Sequence, residues 1–463
     1  MRVLVSCVVT SAFVLSSACA MASDATATAA GPAERYALLV HGETHAQLFQ
    51  RALLPGANGA VVAEETSVPV YQFVQLAARD LNIAREQRGL DLEFAAWWRG
   101  ELAATSSERP SDGDVQTANV GYRRGPLSFR FGRQHVAGGA ARDARLDGLV
   151  ADSELGAGFD LRVYGGLTVL PRWNQRFSYT YLGAAADSNL RNPAVSSGRR
   201  EREEYLLGGA RLGFTAERAR AALSFHEQHE SEGLSRRTLT LDGTFDFAHG
   251  LSGGATASAE LEAERLSEAR AWLDAAPARA LDLSFEWLHT EPALFLSRQS
   301  VLAVFSDAKY DEGGGRGALR PTDRITLEGG GWAELYSGSR PGARAEATLQ
   351  VLTNRSRTAF ARVTYARVLT PDNGYHSLRS SFSQRFLTYL AGTIEAYAYL
   401  YDHAIRSYRS STVYSGTLEY RPSGAVAVLW GGSLVHSPYA NLDAQTQVRL
   451  AYDFDFATIR GRR

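Results

Sequence analysis

Apolar and polar residues alternate along most of the chain. In TIEAYAYLYDH, residues 393–403, the apolar positions include Ile394 and Leu400, and the positions between them include Glu395 and Tyr397. A period of two places successive side chains on opposite faces of a β-strand. This segment is therefore predicted to form a strand with one apolar face and one polar face.

The same alternation recurs from one end of the chain to the other. It is found in DLEFAAWWRGEL (91–102), GFDLRVYGGLTV (158–169), TLTLDGTFDF (238–247), ATASAELEAE (255–264) and QVRLAYDFDF (447–456). Each segment alternates over about ten residues, the length of a tilted strand that crosses an outer membrane. Strands in soluble sandwiches are typically about five or six residues long. A propeller or β-helix has a repeat of fixed period, and the sequence contains none.

These segments predict an all-β fold, a single antiparallel transmembrane β-barrel. LVHGETHAQLF is the expected first strand and QVRLAYDFDF the last. We expect about 22 strands, within a range of about 18–24. In such a barrel the ring of strands satisfies every backbone hydrogen bond, lipid contacts the apolar face and water contacts the polar face. The residues expected to face lipid in the first segment are Ile394, Ala396, Ala398 and Leu400, and the tyrosines between them are expected to face the lumen.

The chain begins with a predicted secretory signal peptide. Arg2 precedes the apolar run VLVSCVVTSAFVLSSACA, and an Ala-Met-Ala pattern ends at Ala22. A charged start, a short apolar core and small residues at the cleavage site are typical of such peptides. We expect residues 1–22 to be removed and residues 23–463 to form the barrel domain. Export followed by barrel formation predicts the Gram-negative outer membrane, with its lipid and lipopolysaccharide as neighbours.

Composition narrows the chemistry that the mature chain can perform. Both cysteines, Cys7 and Cys19, lie in the predicted signal peptide, so the mature chain has no disulfide, cysteine-ligated zinc or CxxCH haem site of its own. The formal net charge is -1, which gives no electrostatic support for nucleic-acid binding. We therefore expect no cofactor and no nucleic-acid partner.

Three long stretches lack the alternation and are candidate outer or in-folded loops. They are Leu53–Ser67, Ser188–Arg202 and Glu291–Asp311. Barrels of about 16–18 strands leave a water-filled channel, whereas transporters of about 22 strands carry a plug. The stretch before the first strand, SDATATAAGPAERY, is far too short to form a plug. We expect the lumen to be open, narrowed by loops, or filled by a periplasmic or lumenal partner protein.

Charged and aromatic residues on the polar faces are the candidate pore-lining residues. The basic candidates are Arg162, Arg211, Arg218, Arg220, Arg324 and Arg344, the acidic candidates are Glu260, Glu262, Glu264, Glu328, Glu346 and Glu395, and the aromatic candidates are Tyr397 and Tyr399. Bands of opposite charge that face each other would create a transverse field that orients dipolar solutes. Because residues two apart share a strand face, the glutamates at 260, 262 and 264 are expected to form an acidic stripe.

One hairpin carries a family resemblance. FRFGRQHVAGGAARDARLDGLVADSELG, residues 129–156, resembles the GRQ…G…R…(F)DG pattern of alginate-export-type and related outer-membrane porins. The matching positions are Gly132, Arg133, Gln134, Arg145, Asp147 and Gly148, with Leu146 in place of the usual aromatic residue. The resemblance implies a porin-like barrel. The chain departs from the pattern of outer-membrane barrels at its end, because it continues past Phe456 with ATIRGRR instead of finishing on an aromatic residue.

Two histidine-containing motifs raise the question of a metal site. HEQHE lacks the HExxH spacing of a zinc protease, and on a strand its His226 and His229 point to opposite faces. HGETH places His41, Glu43 and His45 on one face, which is a set of metal-binding residue types, although polar strand faces carry such residues routinely. The sequence contains no GxSxG elbow, P-loop or dinucleotide motif. We predict neither a metal site nor an enzyme.

Two functions from different classes remain. The first is an outer-membrane porin for passive or moderately selective diffusion of small hydrophilic solutes. The alternative is the sheath of a porin–cytochrome electron conduit, in which a wide barrel encloses a multihaem cytochrome and acts as its insulator. An outer-membrane hydrolase is a third and weaker interpretation, because no catalytic triad is recognisable.

Overall fold

The computed structural model describes residues 35–53, 64–79, 81, 88–104, 111–169, 206–230, 233–248, 250–291, 309–353, 358–371, 373–405, 407–438 and 440–459. The predicted signal peptide and the predicted loop 188–202 lie outside these residues, as does most of the loop expected between Glu291 and Asp311. The first predicted loop ends earlier than expected, because Glu64–Ser67 already belong to the second strand.

The described chain is built from 22 strands. They are β1 Arg35–Leu53, β2 Glu64–Arg79, β3 Arg88–Ala104, β4 Ser111–Arg124, β5 Leu127–Gly138, β6 Arg142–Gly156, β7 Phe159–Thr168, β8 Leu206–Thr215, β9 Ala219–Glu230, β10 Gly233–Ala248, β11 Leu251–Glu260, β12 Arg265–Ala278, β13 Leu281–Thr290, β14 Tyr310–Thr322, β15 Ile325–Tyr336, β16 Gly342–Leu352, β17 Ala359–Leu369, β18 Tyr375–Leu387, β19 Leu390–Ile405, β20 Tyr408–Ser423, β21 Val426–Ser437 and β22 Ala440–Ile459. A short 3-10 turn, Gly139–Ala141, separates β5 from β6. In this part of the chain no helix has the length and hydrophobicity needed to span a bilayer.

The strands form one closed ring. Each strand pairs antiparallel with the next along the chain, and β22 returns to pair antiparallel with β1. The closing pair runs from Arg35 opposite Ile459 to Leu53 opposite Ala440. Closure leaves no free sheet edge. The predicted antiparallel barrel of about 22 strands is confirmed.

The two faces of the wall differ as the alternation predicts. On the outer face Leu241, Ile394 and Leu400 expose 59%, 63% and 55% of their surface. On the inner face of β19, Tyr397 donates a hydrogen bond of 3.0 Å to Glu395, and both side chains are half-buried. An apolar exterior and a polar interior are the arrangement that a bilayer requires of a barrel wall.

Most connections at the end of the barrel where β1 begins and β22 ends are short. Two-residue turns connect β4 to β5, β6 to β7 and β12 to β13 at this end. Gly158 in the β6–β7 turn has a φ of +83°, and a Cβ there would lie 2.2 Å from the Thr215 carbonyl oxygen, so the turn requires glycine. The longest connections, from β7 to β8 and from β13 to β14, lie at the opposite end. Outer-membrane barrels have short periplasmic turns and longer outer loops.

A charge on the outer face should destabilise the barrel, whereas the same charge in the lumen should not. Leu241→Arg places a guanidinium among lipid tails and is expected to cost roughly 2–4 kcal/mol if the site is near the midplane. Thr244→Arg on the inward face of the same strand, β10, is the matched control and should fold almost normally. Denaturant titration of each variant refolded into lipid vesicles measures the difference. Equal destabilisation by both variants would contradict the assignment of faces.

Candidate functional site

The hairpin of β5 and β6 leaves the barrel wall. The pairing of β5 with β4 stops at Ala118 opposite Arg133, and the pairing of β6 with β7 stops at Leu146 opposite Thr168. Beyond these points β5 and β6 pair with each other as far as Gly138 opposite Arg142, and one more backbone hydrogen bond, of 2.9 Å from the Val169 amide to the Arg145 carbonyl oxygen, joins β6 to the wall. We name residues 134–145 the inner hairpin, because its tip contacts the inner surface of β9 and β10.

Polar contacts anchor the tip of the inner hairpin to β9 and β12 of the barrel wall. The backbone amide of Ala140 donates a hydrogen bond of 2.8 Å to the Ser224 hydroxyl on β9. The Arg142 guanidinium binds the Glu268 carboxylate on β12 at 2.6 Å. The hairpin therefore spans the inner wall from β5 to β12.

An apolar cluster supports the hairpin inside the lumen. Its members are buried and come from the hairpin and the wall beneath it: Val136, Ala141, Leu146, Val150, Tyr164 and Leu207. Removing such side chains from water is favourable by roughly 25 cal/mol per Å² of apolar surface. Packing in this apolar cluster therefore stabilises the hairpin against the lumen side of the wall.

The wall beneath the hairpin also contains buried polar side chains. Tyr164 Oη and His226 Nδ1 are 3.0 Å apart, and Thr240 Oγ1 and Ser258 Oγ are 2.8 Å apart. His226, Thr240 and Ser258 expose at most 2% of their surface. Buried polar groups of this kind are normally hydrogen-bonded. Since a bare lumen wall would be in contact with water, this burial marks the area that the hairpin covers.

The residues of the resemblance form the base of the inner hairpin. Arg133 donates two hydrogen bonds of 2.8 Å to the Asp147 carboxylate and one of 2.9 Å to the Val115 carbonyl oxygen. Gln134, fully buried, donates to the Gly148 carbonyl oxygen at 3.1 Å. Gly132 has a φ of +118°, and a Cβ there would lie 2.3 Å from a β4 carbonyl oxygen. The pattern therefore fixes the point at which β5 bends away from β4.

The inward course of this hairpin was not predicted. The sequence singled out its GRQ and DG residues for their resemblance, and the three loops proposed to fold inward lie elsewhere in the chain. One signal was available in the Gly138-Gly139 pair, since both glycines have positive φ and allow a sharp reversal. A second signal was Leu146, an apolar residue that is fully buried on a face expected to contact water.

Ion pairs between strands that are adjacent or two apart line the rest of the lumen wall. They are Arg162–Asp152 at 2.5 Å, Arg211–Asp242 at 3.1 Å, Arg270–Glu286 at 2.6 Å, Arg344–Glu312 at 3.3 Å, Arg362–Glu328 at 3.3 Å and Arg379–Glu395 at 3.2 Å. Each pair joins strands one or two positions apart. Opposite charges therefore alternate around the wall, and these residues do not form the expected facing bands.

Most of the predicted pore-lining residues lie on the inward face of a strand. By register these are Arg162, Arg211, Arg220, Glu260, Glu328, Arg344, Glu346, Glu395, Tyr397 and Tyr399. Arg218 and Arg324 lie instead in the β8–β9 and β14–β15 turns, at the end that carries the chain termini. These two arginines are therefore at the rim of the barrel and not within its bore.

The expected acidic stripe is not formed. Glu260 is the last residue of β11 and is buried, with its carboxylate accepting hydrogen bonds from Thr238 Oγ1 at 3.1 Å and the Arg237 amide at 2.8 Å. Glu262 and Glu264 lie in the turn 261–264, where Glu264 has a φ of +54°. The alternation of the sequence continues through this turn, but the strand does not.

The predicted lumen aromatics are in contact with other side chains. The Arg379 guanidinium lies 4.6 Å from the ring centre of Tyr397. A similar contact, at 4.3 Å, joins Arg344 to Trp332, which lies on the inward face of β15. Tyr399 makes an edge contact with Tyr375 at 5.8 Å between ring centres. Cation–π pairs of this type stabilise guanidinium groups beside aromatic rings.

The histidine motifs are part of hydrogen-bonded clusters. His41 and His45 both contact the Glu43 carboxylate, which also binds the Arg449 guanidinium. A guanidinium at this carboxylate opposes a metal cation there. His226 is buried under the inner hairpin, whereas His229 is exposed and bonded to Glu227 at 2.6 Å, so the two lie on opposite faces as predicted. Among the described residues, no group of three or more His, Cys, Asp and Glu is arranged to hold a metal ion.

The closed ring, the apolar exterior and the charged lumen together decide the type of fold. The chain has the fold of an outer-membrane β-barrel. No protein-family model and no curated protein matches it, so the resemblance to alginate-export-type porins stays a prediction.

The chain is similar to several solved outer-membrane structures at low sequence identity. The P pilus usher PapC translocation pore is 9% identical, with 91% of this chain and 100% of that chain covered and a TM-score of 0.47. The outer membrane protein OpdK of Pseudomonas aeruginosa is 9% identical, with 90% and 99% covered and a TM-score of 0.40. OccAB4 of Acinetobacter baumannii is 7% identical, with 90% and 98% covered and a TM-score of 0.44.

Removing the guanidinium at the base of the inner hairpin should cost more than removing one from the open wall. Arg133→Ala leaves the Val115 carbonyl and Asp147 without their donor, and hydrogen bonds to charged groups contribute about 1.5–3 kcal/mol each. Arg379→Ala, at an exposed pair, should cost less than about 1 kcal/mol. Denaturant titration in vesicles measures both values, and equal losses would contradict the structural role of Arg133.

Proposed function

We propose that the protein is a porin-like channel of the Gram-negative outer membrane that conducts small hydrophilic solutes. The observation that carries this proposal is a closed barrel whose charged lumen is narrowed by its own inner hairpin. The hairpin covers the inner wall from β5 to β12. On the other side of the lumen the wall carries solvent-exposed charges, such as Arg362 and Arg379 at 45% and 53% exposure.

The alternating charges of the wall support a channel of moderate selectivity. Pairs such as Arg344–Glu312 and Arg362–Glu328 present both signs to a passing solute. Fields from such pairs act over about 8–10 Å at physiological salt. A wall of this kind attracts water and dipolar solutes and gives neither cations nor anions a continuous path of one charge.

The inner hairpin favours a channel over the sheath of an electron conduit. A sheath has to enclose a second protein, and here the chain itself occupies the lumen beside β7–β12 through its contacts with Ser224 and Glu268. Several charged groups of the remaining wall, such as Arg344 with Glu312 and Arg362 with Glu328, pair with each other and need no partner protein.

Shortening the inner hairpin should widen the channel. Val136 and Ala144 are paired, so replacing residues 137–143 by Gly-Gly retains a two-residue turn that β-hairpins accept. The change removes the contacts of Ala140 and Arg142 with the wall. We expect single-channel conductance in planar bilayers to rise clearly above that of the wild-type barrel.

The matched control for this experiment alters a connection at the same rim. Replacing residues 338–340, between β15 and β16, by Gly-Gly should leave the conductance unchanged. A purified barrel that conducts no ions, with or without the hairpin, would contradict the porin proposal. Haem absorbance that copurifies with such a silent barrel would instead support the sheath.

A further inference from the structure

A recess of about 830 Å³ lies in the lumen wall between β10 and β17, toward the end that carries the termini. It is distinct from the area beneath the inner hairpin. Its polar lining includes Asp246, Asp274, Ser284, Arg316 and Glu346. Small-molecule sites typically have volumes of roughly 300–1,000 Å³, so the recess has the size of a ligand site.

The register of the strands explains why the wall is hollow here. One row of inward positions crosses six strands in the order Ser252, Asp274, Ser284, Arg316, Gly330 and Glu346. Serine or glycine alternates with a longer side chain along this row. The small residues leave space against the wall, and the long residues stand at intervals around that space.

The indole of Trp332 lies next to the row of the recess but is not part of its lining. Trp332 pairs with Gly314 on β14, and its ring lies flat over the wall as far as Gly330. A Cβ at Gly330 would lie 2.5 Å from Cη2 of Trp332 and 3.1 Å from Cβ of Arg316. The six-membered ring of the indole therefore lies over Gly330, next to the Arg316 side chain.

The charges of the recess are unbalanced. Two of its arginines are neutralised by neighbours, Arg320 by Asp282 at 2.6 Å and Arg362 by Glu328 at 3.3 Å. The other charged groups in the lining are the three carboxylates of Asp246, Asp274 and Glu346 and the guanidinium of Arg316. None of these four side chains forms an ion pair with another described residue. The recess therefore carries excess negative charge, which disfavours anionic ligands.

We infer that the recess is a binding subsite for a neutral or amino-substituted saccharide. This inference rests on the proposed function and names a solute class for it. A sugar ring offers hydroxyl groups that donate and accept, and carboxylates beside a guanidinium supply the matching acceptors and donors. A uronate sugar would be repelled by the unpaired carboxylates.

Filling the recess tests the site directly. Isothermal titration of the detergent-solubilised barrel with maltotriose should show saturable binding. Ser284→Trp fills the floor of the recess and should weaken that binding by about tenfold or more, which corresponds to about 1.4 kcal/mol. Ser415→Trp adds the same ring to the inward face of β20, outside the recess, and should bind maltotriose like the wild type.

Ligand charge tests the saccharide class. Trigalacturonate should bind at least about tenfold more weakly than maltotriose. Equal binding of the two sugars would overturn the inference, as would unchanged binding in Ser284→Trp. Binding of spermidine in the absence of any maltotriose binding would show a cation site and would also overturn it.

Conductance separates this inference from the proposed function. A barrel that conducts ions but binds no maltotriose retains the porin function and loses the saccharide subsite. A barrel that binds maltotriose but conducts no ions retains the subsite and loses the porin function. In the expected case the barrel conducts ions, and maltotriose reduces the current in the wild type and in Ser415→Trp but not in Ser284→Trp.

Discussion

The structure depends on the requirement that every backbone polar group be paired where water is absent. A peptide group left unpaired in hydrocarbon costs several kcal/mol, so a sheet can cross the bilayer only as a closed ring. The pairing of β22 with β1 along nearly the whole of both strands supplies that closure. Because the ring pairs the backbone, the polarity of each side chain is set only by what its face contacts. The outer face contacts lipid and is apolar, and the inner face contacts water and is polar.

The inner hairpin is an exception to this rule, and the structure compensates for it. Where β5 leaves β4, the wall loses a neighbour that would have paired with β4. Arg133 takes part of that role, because its guanidinium donates to the Val115 carbonyl oxygen and is held in place by Asp147. The hairpin gains stability in the lumen from buried apolar contacts such as Val136 and Leu207. The Arg133 guanidinium at the base of the hairpin and the buried apolar cluster thus compensate for the lost strand pairing.

The sequence predicted the strands and their faces because both follow from a period of two within a single segment. It failed where the outcome depends on neighbours that are distant in the chain. ATASAELEAE alternates without interruption, yet β11 ends at Glu260 because the pairing with β12 shifts register near Ser258 and the chain turns. The partners of the lumen arginines were also hidden, since pairs such as Arg211–Asp242 join strands that are not adjacent in the sheet.

The same reasoning explains why the recess was not visible in any one strand. Ser252, Ser284 and Gly330 are ordinary residues within their own segments, and only the register of six strands places them in one row. The recess lies toward the end that carries the termini, whereas the inner hairpin folds in from the end with the long connections. In the channel that we propose, a solute that enters from the long-connection end would pass the hairpin before it meets the recess. The proposed channel would then select solutes first by size, at the packed inner hairpin, and next by hydrogen bonding and charge, at the recess.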